Sequence, residues 1–124
     1  PARDAGAAVT FDDRTEGEVP AGIGRTAYRI VQEGLTNARR HAPGRPVRVA
    51  IGGQRADGLT IDVSNPVPEN VVGTNGSGMG LIGLGERVRL AGGRFEFTTA
   101  DGEFRLRAWL PWPRDRERPG LDRR

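Results

Sequence analysis

The chain has 124 residues, enough for one domain with a sizeable core but not for two. It contains no cysteine and one histidine, which excludes disulfides, thiolate catalysis, Cys-based zinc and any multi-His metal site. The net charge is only +3, and every basic residue is arginine, a pattern that reads as codon bias rather than as a nucleic-acid signature.

Ala7–Asp12 (AAVTFD) alternates as a strand, and Asp13–Pro20 reads as a charged loop. From Ala21 to Ala42 the period becomes helical. At about 100° per residue, Ala27, Ile30, Val31, Gly34, Leu35 and Ala38 share one arc. Glu33 and Asn37 stack one turn apart at its rim, with Arg40 beside them and His41 at the edge, before Pro43-Gly44 ends the helix. Val47–Gly52 and Leu59–Val63 read as strands joined by a turn at Ala56-Asp57-Gly58. Asn65 to Ser77 reads as a loop broken by Pro66, Pro68, Gly73 and Gly76. Leu81–Ala91 is a second helix, stopped by Gly92-Gly93, and Arg94–Thr98 pairs with Phe104–Leu110 around Ala100–Glu103. The order β-α-β-β-loop-α-β-β predicts an α/β two-layer sandwich: a mixed, mostly antiparallel sheet with helices on one face. Residues 1–113 form the expected domain. The tail 114–124, with five arginines against three acids plus Pro119 and Gly120, is expected to be disordered.

No stretch reaches the roughly 20 apolar residues of a membrane helix, and no secretory signal is evident, so a cytoplasmic location is expected for this segment, with a membrane anchor open only for other parts of a longer protein. The sequon Asn75-Gly76-Ser77 carries little weight in such a chain.

Two segments carry chemistry. Gly78-Met79-Gly80-Leu81-Ile82-Gly83 fits G-x-G-x-x-G, but a dinucleotide fold needs a strand running directly into the glycines, and a broken loop precedes them here. A plain flexible loop is one alternative. The other is a phosphate site, favoured by the helix that follows, whose free N–H groups and positive dipole end can receive an anion. Asn is a poor residue for a helix interior, so Asn37 invites a reason, and its amide oxygen suits a hard ion such as Mg²⁺. A solvated helix face is the bland alternative for Glu33 and Asn37; the chemical one gives Glu33 a role as base or orienting group.

Together, Tyr28–Ala42 (YRIVQEGLTNARRHA) and Gly78–Val88 (GMGLIGLGERV) resemble the N and G2 boxes of sensor histidine kinases. The likeness is greatest to the subfamily paired with LuxR-type response regulators. Ala91-Gly92-Gly93 and the closing strand into Leu110-Pro111 fit it too, so that the resemblance runs from Ala7 to Trp112. It implies the ATPase fold shared by gyrase, Hsp90, histidine kinases and MutL (GHKL, or Bergerat, fold), with ATP and Mg²⁺ as cofactors. Asn37 would then bind Mg²⁺, Arg40 and His41 would lie near the phosphates, and Glu33 would assist the acceptor histidine. Gly76, Gly78, Gly80, Leu81 and Gly83 would face the phosphates at the end of an ATP lid. Implied partners are a dimerisation and phosphoacceptor domain of the same polypeptide and, through the full kinase, a response regulator. The adenine-reading segment departs from the family: it reads Val63-Ser64-Asn65-Pro66-Val67-Pro68, with Asn65 where an aspartate is usual and no following glycines. Gly85 also replaces a frequent arginine. The altered segment raises the alternative of a degenerate regulatory module; an anti-sigma serine kinase on the same fold is a third reading.

Overall fold

The structure, a computed structural model, describes residues 8–68 and 79–114. Gly76, Gly78 and the tail beyond Arg114 lie outside the described residues. The elements are β1 (Val9–Glu16), α1 (Ala21–His41), β2 (Val47–Gln54), β3 (Gly58–Pro66), α2 (Met79–Leu90), β4 (Arg94–Ala100) and β5 (Glu103–Leu110). They form a five-stranded sheet in the order β1-β2-β3-β5-β4. Only β1 and β2 run parallel, joined through α1 as a βαβ unit, and the other neighbours are antiparallel. This is the α/β sandwich that the element order predicts.

Local chemistry sets the boundaries. The β4–β5 turn has two residues, Asp101 (φ 55°) and Gly102 (φ 77°), with Ala100 paired to Glu103; two consecutive positive φ angles and an Asp-Gly pair define a type I′ hairpin. At the end of α2, Gly92 is left-handed (φ 87°), and Gly93 N–H donates to the Val88 carbonyl at 2.9 Å. Arg39, Arg40 and His41 occupy the last turn of α1, where positive charge suits the dipole.

The two strands that depart from the sequence reading are instructive. β1 continues through Asp13–Glu16, which reads as loop in sequence, because it pairs residue by residue with β2 as far as Glu16 opposite Gln54. It is an edge strand exposed along most of its length, so no apolar alternation marks its second half. Its Asp13 carboxylate accepts the Thr15 backbone N–H (2.9 Å) and hydroxyl (2.8 Å), which hold it below the usual carboxylate range. β3 likewise runs on through Asn65 and Pro66, because β5 supplies partners as far as Glu103.

Val49, Val63, Leu106 and Phe97 lie side by side across four strands, and both helices pack on this face. Ile30 of α1 and Val88 of α2 are fully buried against it. The opposite face carries charge, with Asp62 held between Arg105 and Arg107 at 3.3 Å each; such exposed pairs contribute little stability. Two glycines set how closely the helices sit. A Cβ on Gly34 would lie 2.9 Å from Val63 Cγ1, so α1 crosses β3 at glycine contact. A Cβ on Gly85 would lie 2.9 Å from the Phe95 ring, which explains why no arginine occupies that position.

Gly34→Ala should destabilise the chain by about 1–2 kcal/mol, since overpacking against a buried valine outweighs the gain in helix propensity. Gly24→Ala, whose nearest obstacle is Val19 Cγ1 at 3.9 Å, should stabilise by about 0.5 kcal/mol. Urea unfolding of both variants checks the pair; equal stabilisation would contradict the close crossing.

Candidate functional site

One end of the sandwich collects the polar residues. α1 lies between β1 and the parallel β2, and β3 runs antiparallel to β2, so α1 and β3 point the same way. Beyond their crossing at Gly34 and Val63, α1 carries Asn37 and His41 while β3 carries Asn65. The β4–β5 turn reaches the same end, where Gly102 accepts the Val67 N–H at 2.9 Å.

Asn37 is 9% exposed and Asn65 is 2% exposed, an unusual depth for two carboxamides. Asn65 Nδ2 donates to the Pro66 carbonyl at 3.1 Å. That bond fixes the orientation of the amide and turns Oδ1 inward, where it accepts no hydrogen bond from any described residue. A buried acceptor without a donor costs about 1–3 kcal/mol, so its position invites a ligand donor.

Glu33 is half-buried on the side of α1 that faces α2. A Cβ on Gly80, in the first turn of α2, would run into its carboxylate, with Cδ at 3.0 Å. The two sequence boxes therefore meet: a carboxylate of one lies against the opening turn of the other. Leu81 contributes its side chain to the core (3% exposed), which leaves its backbone N–H as the group available to an anion. His41 is half-buried in the last residue of α1, and Arg40 is exposed beside it. Gly83 is exposed, and a Cβ there would meet nothing within 4 Å, so packing does not demand a glycine. Among the described residues no three His, Cys, Asp or Glu side chains gather as a metal cage. An ion held through Asn37 would therefore draw its other oxygens from a ligand's phosphates and water, the usual arrangement for Mg²⁺.

The structure adds Thr99, buried (7% exposed) on β4 and in register with Phe104, which in turn pairs with Asn65. Its inward parity with Phe95 and Phe97 was the signal in sequence that could have found it.

No protein-family profile matches the chain, and no curated protein does. Solved structures do. The catalytic domain of the histidine kinase ThkA, in a nucleotide-free form, is 12% identical with a TM-score of 0.57, over 86% of this chain and 81% of that one. The histidine kinase AdeS of Acinetobacter baumannii is 11% identical with a TM-score of 0.65, over 87% of this chain and 55% of that one. The histidine kinase domain of the blue-light-activated kinase EL346 from Erythrobacter litoralis is 19% identical with a TM-score of 0.61, over 84% and 55%. The chain thus spans about half the length of the AdeS and EL346 chains. At these identities the likeness establishes a shared fold, that of histidine kinase catalytic domains.

Asn65→Leu removes the orphaned acceptor at similar volume, and the Pro66 carbonyl that loses its Nδ2 donor is only half-buried, so water can replace that bond. Its stability without ligand should therefore match or exceed the parent, within about 1 kcal/mol. Thermal unfolding with and without nucleotide checks this: the parent alone should gain from the nucleotide. A large loss in the ligand-free variant would show that the amide is structural.

Proposed function

We propose that this chain is the ATP-binding catalytic domain of a sensor histidine kinase. It would present Mg-ATP so that the γ-phosphoryl group reaches a histidine on a separate dimerisation domain of the same polypeptide. Within the full kinase that domain would pass the group to a response regulator, and the two sequence boxes favour a regulator of the LuxR type. A cytoplasmic setting is part of the same proposal. The observation that carries the reading is the buried Oδ1 of Asn65, an acceptor oriented for a donor such as the adenine amino group. The fold likeness and the meeting of Glu33 with the opening turn of α2 support it.

In this reading each residue has a distinct task. Asn65 reads the base, and buried Thr99 lies in the same cross-strand row. Asn37 supplies a neutral oxygen for Mg²⁺, whose positive charge, when bound, would offset that of the phosphates. The N–H groups at the start of α2, among them those of Gly80 and Leu81, receive phosphate oxygens with help from the helix dipole. Gly83 leaves open space beside them. Arg40 and His41 add donors at the end of α1. Glu33 orients or deprotonates the incoming imidazole, and its contact with Gly80 fixes where that carboxylate can be. Transfer of this kind rests on positioning and charge stabilisation.

Calorimetric titration of Mg-ATP, combined with transfer to an acceptor domain supplied in trans, tests these roles. Asn37→Ala should weaken magnesium-dependent binding. Glu33→Gln should spare binding and slow transfer about 10²-fold or more if it acts as a base. Asn65→Asp should tighten ATP binding severalfold, by about 1 kcal/mol, provided the buried carboxylate finds enough partners to remain ionised beside the Pro66 carbonyl, and Asn65→Ala should weaken it. The chain alone should acquire no phosphohistidine. Equal loss of nucleotide affinity in the Asn37 and Glu33 variants would overturn the division of roles.

A further inference from the structure

A second polar surface lies along the seam between the helices, away from Asn65. α1 and α2 run antiparallel, so that as Gly80 meets Glu33, Arg87 two turns further along meets the first half of α1. Arg25, Arg29 and Arg87 together line a groove of about 420 Å³, with Thr26, Tyr28 and Gln32 completing its walls. Among the described residues no carboxylate lines the groove, and none of the three arginines makes an ion pair. The nearest acids by sequence are Glu33, one turn beyond Arg29, and Glu86, beside Arg87; Glu18 lines the adjoining cleft at the start of α1, which shares Gly22 and Thr26 with the groove. α1 has no acidic residue in its first turn and no side-chain cap at its N-terminus, so its positive end adds to the same field.

We infer that this groove docks an acidic amphipathic helix of a protein partner. The spacing favours a helix over a small anion. Arg25 and Arg29 are one turn apart, about 6 Å along the axis, which matches carboxylates at i and i+4 on a second helix. Arg87 faces them from the other wall and takes a third acid or the partner's C-terminal carbonyls. Tyr28 is 64% exposed at the rim, its hydroxyl accepting the Gln32 amide at 3.1 Å, and its ring offers an apolar landing for the partner's other face. Arginine forks suit carboxylates geometrically, so the site selects acids as well as charge.

The probe is a fluorescent synthetic helix of about 20 residues, long enough to hold helicity, with glutamates at i, i+4 and i+7. Binding is read by anisotropy without nucleotide, so the outcome is independent of whether ATP binds. The acidic helix should bind at low salt and weaken as salt rises. Arg29→Gln and Arg87→Gln should each weaken it about two- to fivefold, whereas Arg105→Gln on the open sheet face should not. Arg29→Glu should shift preference towards a lysine-substituted helix, a gain that misfolding cannot mimic. Absence of binding at millimolar concentration, or indifference to both groove arginines, would overturn the inference. Pyrophosphate competing as tightly as the peptide would also overturn it, by making the groove a small-anion site.

Discussion

The approach of α1 to β3 at Gly34 governs the geometry of everything around it. An added Cβ at Gly34 would come within 2.9 Å of Val63 Cγ1, so the helix sits at glycine distance and cannot rise or roll without losing contact along its buried face. That constraint fixes α1 rotationally: Ile30 and Ala38 go into the sheet, Glu33 turns to α2, and Asn37 is carried under cover one turn later. It also fixes α2, because Gly80 must fit against the Glu33 carboxylate while Gly85 fits against Phe95. Three glycines on two helices thus convert a generic sandwich into one with a defined polar end.

At that end the protein accepts a local cost. Asn65 Oδ1 is buried without a donor among the described residues, at a depth where a leucine would serve the core equally well. An unpaired buried polar group calls for a reason, the proposed one being a ligand, and Asn65 is accompanied by buried Asn37 and Thr99 rather than isolated. In the proposed function, stability and binding therefore pull against each other at this residue. In α2 the Phe95 ring crowds position 85, whereas at 80 the obstacle is the flexible end of Glu33 and at 83 there is none.

Much of this was legible in the sequence. The 3.6-residue arc of α1, the Gly92-Gly93 stop and the Asp101-Gly102 turn are local signals, and the structure follows each of them. The second half of β1 was not legible, because an exposed parallel edge strand is held by its neighbour's backbone and leaves no side-chain pattern. β3 was cut short for a related reason: Pro66 suggests a loop, yet its strand partner β5 carries the ladder past it. The motifs marked Glu33 and Gly80 separately, but their contact depends on the antiparallel packing of two helices, and no sequence spacing encodes that. Asn65 could be singled out by position; its burial and the orientation of its amide could not.

A larger cleft than the helix seam, about 880 Å³, lies at the opposite end, between Val19–Ile23 at the start of α1 and Leu110–Pro113. Size alone would assign a ligand there, whereas the proposed function puts it at the other end. Titration of Mg-ADP into isotopically labelled protein, followed by amide chemical shifts, distinguishes the two directly. The account predicts saturable shifts at Asn37–His41, Asn65, Thr99 and Gly80–Gly83, with Gly22, Ile23, Ala91 and Trp112 unmoved. Shifts confined to the larger cleft, or no saturable shifts at all, would contradict it.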